Sequence, residues 1–357
     1  MNIATWFSKT VTGTLALLGI MLATPSFAAS NTPLAVFTDT PTAHLVKYHD
    51  TLYALNETTT GLATYQRNSD TDWTEVDATD TGLQNVYDHV SSIGQFHAFK
   101  KNVYMTTQNN HGVGQMWSIR KNSTNHNWRK SGKAGFGNKH NTAITTMFEK
   151  NGRLYAFTSN SHGSKMYSTK SGSKWYLEGS YGLDDVLDVG HFTIGGQKHI
   201  WLGTSDGLLY NASPTYFPNW NYVEDFGQSI TALYRYNETL YLAAVADDGT
   251  TRVMKTSDGI NFSQVGSDNL GDDNNVNITK LGTDPFTAQL YVLTENTVTG
   301  AQMLLWSDDT ASWSAAVTAG LGSVANSQFV DLVEYQDVPY ISTFNTANNA
   351  EVDALIE

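Results

Sequence analysis

An apolar-aromatic pair returns along the chain at Leu52-Tyr53, Val103-Tyr104, Leu154-Tyr155, Ile200-Trp201, Leu240-Tyr241, Leu290-Tyr291 and Pro339-Tyr340. Successive aromatics stand 51, 51, 46, 40, 50 and 49 residues apart. A unit of that length cannot bury its apolar face alone, so each copy must stack on its neighbours. One period reads as a strand at Ile230–Tyr236, a turn at Asn237–Thr239, a strand at Leu240–Val245, a loop, a strand at Arg252–Lys255, the turn Ser257–Gly259 and a fourth strand from Phe262. The runs are short, rich in β-branched and aromatic side chains, and bounded by Asn, Asp, Gly or Ser, as in antiparallel meanders. The repeat predicts an all-β chain, a seven-bladed β-propeller of four-stranded antiparallel blades.

The seventh copy is short. It offers Phe329–Tyr335, Val338–Phe344 and Glu351–Ile356, and no fourth strand follows. A spare strand, Leu34–Phe37, precedes the first strand of the first copy at His44–Tyr48. Pairing the two would close the ring with the N-terminal strand and cover an open sheet edge.

The fourth strand opens with an aromatic at Trp73, Trp128, Trp175, Trp220, Phe262 and Trp313. A third-strand partner stands 7 to 11 residues before each, at Tyr65, Trp117, Tyr167, Tyr210, Met254 and Trp306. Large aromatics repeated in every copy read as packing between neighbouring blades rather than as a sugar-stacking stripe.

Lys9, the apolar run Val11–Ala23 and the small residues Ser26 and Ala28 have the pattern of an export signal cut after Ala28. The run is too short to span a bilayer, which needs roughly 20 apolar residues. Residues 1–28 are therefore expected to be a signal peptide and 29–357 one propeller domain, periplasmic or extracellular and monomeric, with no membrane insertion. The chain has no cysteine, so disulfides do not hold the fold together. A formal charge of −13, with 21 Lys and Arg in no sequence cluster, argues against nucleic acid and anionic lipid as partners.

The turn Thr256-Ser257-Asp258-Gly259-Ile260-Asn261-Phe262 resembles the Asp-box of sialidase-like propellers, with weaker echoes at Ser307-Asp308-Asp309 and Ser171-Gly172. The resemblance implies a structural hairpin away from the active face. It also implies a non-enzymatic member, because sialidases need three arginines and a Tyr/Glu pair in motifs absent from this chain. Kelch and WD repeats fit the sequence less well.

In the usual propeller order, the loops from second to third strands and those between blades share one face, and the tight turns share the other. The first face receives the long polar loops, where function concentrates on a rigid scaffold. Asn110, His111, His162, Asp247, Asp248 and Glu295 are the candidate ligand-binding residues on it. His111 and His162 lie 51 residues apart, at equivalent points of adjacent blades. They could hydrogen-bond a ligand or, as neutral imidazoles, hold a metal, although His-Gly turns also recur for backbone reasons.

No cofactor is implied by a motif. Ca²⁺ is the one metal the acidic loops suggest, at Asp184-Asp185 with Asp188 and at Asp272-Asp273 with Asn274-Asn275, but EF-hand spacing is missing. Nucleophile elbows, phosphate loops and dinucleotide fingerprints are absent from the sequence. Three functions follow in order: a secreted module binding a glycan or protein partner, a glycoside hydrolase with carboxylates at the channel mouth, and a structural or assembly factor of the bacterial envelope.

Overall fold

The computed structural model describes residues 28–29, 34–58, 61–69, 72–76, 90–109, 111–122 and 128–356. Apart from Ala28, the segment read as an export signal lies outside them.

Two short strands, β1 (Ala28–Ala29) and β2 (Ala35–Thr38), precede the first meander, β3 (Thr42–Tyr48), β4 (Thr51–Thr58), β5 (Gly61–Ser69) and β6 (Asp72–Glu75). Four self-contained, four-stranded antiparallel sheets follow. They are β7 (Val90–Phe99), β8 (Asn102–Asn109), β9 (Gly114–Arg120) and β10 (Arg129–Lys130); β11 (Asn141–Lys150), β12 (Arg153–Asn160), β13 (Lys165–Thr169) and β14 (Tyr176–Ser180); β15 (Val186–Ile194), β16 (Gln197–Thr204), β17 (Leu208–Ala212) and β18 (Asn221–Asp225); and β19 (Ser229–Tyr236), β20 (Thr239–Val245), β21 (Thr251–Thr256) and β22 (Ser263–Gln264). The chain continues through β23 (Asn277–Thr283), β24 (Leu290–Glu295), β25 (Met303–Ser307) and β26 (Ser312–Ala315), and ends with β27 (Asn326–Tyr335), β28 (Val338–Asn345) and β29 (Asn349–Ile356).

The two ends of the chain meet in one sheet. β2 runs antiparallel to β29, with Ala35 opposite Val352 and Thr38 opposite Asn349, and Ala28 and Ala29 pair with Ile356 and Leu355. Single bridges, Phe344 to Thr42 and Glu295 to Gln328, link the last meander to its neighbours and merge them into a thirteen-stranded sheet. The spare N-terminal strand thus covers the edge that the last three strands leave open.

Packing between meanders follows the aromatic repeat. Trp128 is fully buried against Tyr48, Tyr53, Met105 and Trp117, from the first and second meanders. Trp175 packs with Phe99, Tyr104 and Phe136, Trp220 with Phe148 and Phe157, Phe262 with Trp201 and Phe226, Trp313 with Trp306 and Val265, and Trp73 with Phe37 of β2. Only Trp128 of these is fully buried; the others keep an edge in solvent.

The first strand of each meander is innermost. Six of them carry a register shift at the same step: Ile93/Phe96, Ile144/Thr146, Val186/Asp188, Ile230/Ala232, Ile278/Lys280 and Phe329/Leu332. A bulge re-aims the side chains beside it, and here it turns polar residues toward the centre, where a strict two-residue alternation would bury them in the sheet.

Candidate functional site: the loop face and the channel behind it

The loop face is held by buried asparagines. Asn141, Asn275 and Asn326 occupy the same place where three inner strands begin, each almost wholly inaccessible. Each donates from Nδ2 to a carbonyl six residues earlier, Gly135 at 2.8 Å, Asn269 at 3.0 Å and Gly320 at 2.9 Å. Each accepts at Oδ1 from an asparagine at the end of the second strand or just after it: Asn160 at 2.6 Å, Asn296 at 3.1 Å and Asn345 at 2.7 Å. That second asparagine caps the next turn, accepting the N–H of His162, Val298 or Ala347.

The connections that Asn141, Asn275 and Asn326 grip share a left-handed turn, Gly135-Phe136-Gly137, Asn269-Leu270-Gly271 and Gly320-Leu321-Gly322, with φ near +50° at the first two positions. Glycine and asparagine tolerate that region at least cost, so the turn has a sequence form. Each paired asparagine thus fastens a blade-to-blade connection to a second-to-third-strand loop. This device was missed by the sequence reading, although a Gly/Asn-Phe/Leu-Gly turn with Asn four residues after its last glycine marks it at all three places.

The structure places the sequence-predicted residues as follows. Asn110 lies outside the described residues. His111 is exposed, its N–H bonded to Asn109 Oδ1 at 3.0 Å, beside a cleft of about 190 Å³ shared with Thr107, Gln115, Trp117 and Lys130. His162 occupies the equivalent turn one sheet on, with its N–H on Asn160 Oδ1. Its ring meets His140 edge-on at 5.7 Å rather than His111. Asp247 and Asp248 flank a separate, larger cleft of about 560 Å³ with Asp225, Arg252 and Gln264. The Thr250 hydroxyl and N–H, together with Arg252, hold the Asp248 carboxyl below its usual range. Glu295 ends β24, half-buried, and its backbone takes the N–H of Val276. The five described candidates therefore share a face but not a single cavity.

The acidic loops behave differently from the sequence expectation. Asp188 is not a loop ligand beside Asp184 and Asp185: it lies within β15 and points into the channel. Asp272 is occupied by its own neighbours, accepting from Asn274, Asn296, Thr299 and Gln302. Among the described residues no group of three His, Asp or Glu side chains is placed to hold a metal ion.

The channel is a cavity of about 340 Å³ lined by inner strands, with His44, Gln95, Asp188, Thr231, Lys280 and Asp331 among its walls. Polar side chains tie several of these strands to their neighbours. Asp188 Oδ2 accepts the Leu233 N–H at 2.7 Å, Thr231 donates to the Ile278 carbonyl at 2.7 Å, and Thr279 donates to Phe329 at 3.0 Å. Asp331 accepts the Leu45 N–H at 3.1 Å, and Glu57 accepts the Ile93 N–H.

His44 stands between two carboxylates, Nδ1 at 3.5 Å from Asp331 and Nε2 at 3.6 Å from Glu57. Burial opposes its charge, but the two carboxylates override it and push the imidazole up to about 9. Burial works against the charge on Asp331 as well, yet His44, Lys280 and the Leu45 N–H hold that carboxyl below its ordinary value. Asp188, with no cation bonded to it, is pushed up by burial, offset in part by the Leu233 and Val189 N–H groups.

On the opposite face, Asp258 organises the tight turn that carries the Asp-box resemblance. It accepts the N–H groups of Ile260 at 2.9 Å and Asn261 at 2.8 Å, the Asn261 amide at 2.7 Å and the Thr256 hydroxyl at 3.1 Å. Those donors, the Asn261 N–H foremost, hold its carboxyl far below the usual range. The Ser307-Asp308-Asp309 turn is built differently, with Asp308 accepting the Trp306 indole N–H at 2.7 Å.

Inner strands around a common channel, with the ends of the chain paired in one sheet, define an all-β propeller. No protein-family model matches the chain, and no curated protein sequence matches it. Among solved structures it is similar to the WD40 β-propeller domain of Doa1, with a TM-score of 0.58 at 8% identity over 91% of this chain and 97% of that one. It is similar also to a chain of the mitotic checkpoint complex, with a TM-score of 0.59 at 12% identity over 96% of this chain and 100% of that one. At such identities the likeness concerns the fold. Among the described residues no helix is long and apolar enough to cross a membrane.

Proposed function

We propose that the chain is an exported, monomeric, seven-bladed propeller that binds a glycan or protein partner through its loop face, without catalysis. The observation that carries this reading is the buried asparagine pair that fastens the loops in three sheets. Loops tied down before binding lose little conformational freedom on capture, which favours recognition. The blade count is supported by seven apolar clusters among the described residues, each lying between neighbouring meanders. Export is supported by the leader pattern of residues 1–28. The Asp-box resemblance is supported by the Asp258 turn, and by its position on the opposite side from the loops.

Hydrolysis is disfavoured at the two carboxylates paired with His44. Asp331 and Glu57 share His44 and each takes a backbone N–H, so neither is left as a free acid or base. The test uses partners captured from envelope extract or from an array of neutral glycans. Replacing His111 and His162 together by Ala is expected to weaken binding tenfold or more, about 1.4 kcal/mol, at an unchanged melting temperature. Unaltered affinity, or a ligand seated beside Asp258, contradicts the loop-face assignment.

A further inference from the structure

The basic residues, scattered in sequence, are concentrated in the fold. Residues 90–200 hold 14 of the 21 Lys and Arg but 5 of the 34 Asp and Glu, a balance of +9; the remaining 7 against 29 give −22. The sequence expectation of no basic cluster is overturned, because a period near 50 residues stacks equivalent turns of successive sheets side by side. Nine of the fourteen lie on the tight-turn side. Lys100 and Lys101 join β7 to β8, Arg120 ends β9 and Lys121 follows it. Lys150 and Arg153 flank the next tight turn, Lys170 and Lys174 the one after, and Lys198 is the second residue of β16.

These turns touch. Lys100 Nζ donates to the Lys170 carbonyl at 2.7 Å, and the Lys121 N–H to the Lys101 carbonyl at 2.8 Å. Burial foremost, and then Lys198 and Lys150 beside it, push His191 down to about 4. The two described acids on this side are already engaged, Glu149 with His97 at 3.5 Å and Glu178 with Arg153 at 3.8 Å. Two aromatic rings stand out of the same surface: Tyr216, 68% exposed, in the loop between β17 and β18, and Tyr176, 56% exposed, at the start of β14. Lys150 Nζ sits 4.6 Å over Phe217, the neighbour of Tyr216.

We propose that this tight-turn surface of the second, third and fourth meanders is a second binding site, for an acidic polysaccharide. Spaced ammonium and guanidinium groups fit carboxylate or sulfate groups along a sugar chain, and exposed tyrosines offer faces on which sugar rings stack. An extended duplex is disfavoured because the rest of the chain carries −22 and would repel it. A lipid surface would call for a cluster of apolar side chains among the lysines, and among the described residues this side exposes one large aliphatic side chain, Leu177, beside its tyrosines.

The full chain is tested by titration, at low and at 0.15 M salt, against polygalacturonate, dextran sulfate, neutral dextran, duplex DNA and phosphatidylglycerol vesicles. Binding of polygalacturonate or dextran sulfate is expected, weakened by salt, with neutral dextran unbound. The two acidic polymers distinguish carboxylate from sulfate recognition. Lys101→Gln/Lys174→Gln/Lys198→Gln, at exposed positions, is expected to weaken it about tenfold or more. Tyr216→Ala is expected to weaken it several-fold, and Lys133→Gln/Lys139→Gln on the loop side to leave it unchanged. The assignment is overturned if neither acidic polymer binds, if the triple variant binds like the parent, if the loop-side variant loses binding equally, or if DNA or vesicles bind as tightly. None of these residues belongs to the loop-face site, so the two readings fail independently.

Discussion

Asp331, in the last inner strand, accepts the backbone N–H of Leu45, in the first, and lies 3.5 Å from His44 Nδ1. One carboxylate thus ties the end of the chain to its beginning at the channel wall, 286 residues apart in sequence. The His44 pair makes the joint dependent on pH. A histidine held near 9 when folded and near 6.5 when unfolded contributes fully below about pH 6.5, and the contribution is lost as pH rises through 9. Melting measured from pH 6 to 9.5 is expected to show a loss on the order of 1–3 kcal/mol that His44→Gln removes. Parallel melting profiles for parent and variant would contradict the assignment.

The outer edge of the same sheet depends on β2. Phe37 is buried against Tyr65 and Trp73, and its strand covers β29. Deleting residues 29–38 is expected to lower the melting temperature and promote association through the exposed β29 edge, read by calorimetry and light scattering. A deletion that melts like the parent and stays monodisperse would contradict closure by this strand.

Burial separates the tryptophans. Trp128→Ala, at a fully buried site, is expected to cost about 3–5 kcal/mol, and Trp175→Ala, with an edge in solvent, measurably less. Urea midpoints of the two variants check the order, and equal midpoints would contradict it.

Removing Asn141 or Asn326 leaves a buried carbonyl and a buried amide without partners. Asn141→Ala and Asn326→Ala are each expected to cost about 1–3 kcal/mol. Hydrogen exchange is expected to rise at the His162 and Ala347 turns, which Asn160 and Asn345 otherwise cap. Exchange unchanged at those turns would show that the loops are held by something else.

The period of the aromatic pairs was enough to read an all-β chain of antiparallel meanders and a spare N-terminal strand, expected at Leu34–Phe37 and found at Ala35–Thr38, because strand alternation and turn chemistry are local. The channel was not legible in the same way. Asp188 and Asp331 face it through bulges, and a one-residue shift in a strand moves a side chain to the other side without leaving a mark in the hydrophobic pattern. The asparagine pairs escaped notice because their members stand 19 to 21 residues apart, in different loops. His111 and His162 were rightly placed at equivalent turns, but the ring that meets His162 is His140, from the connection before β11. The basic band was hidden because its members are neighbours across sheets rather than along the chain.

The central claim is that partners are taken by the loop face. A photo-crosslinking amino acid placed singly at 111, 162, 248 and 260, in the full chain mixed with envelope extract, tests it most directly. The first three positions lie on the loop face, and the fourth, Ile260, is 75% exposed on the tight-turn face. The account predicts one shared adduct from positions 111 and 162, with position 260 silent toward that partner. The same adduct formed from 260, with 111, 162 and 248 silent, would contradict it.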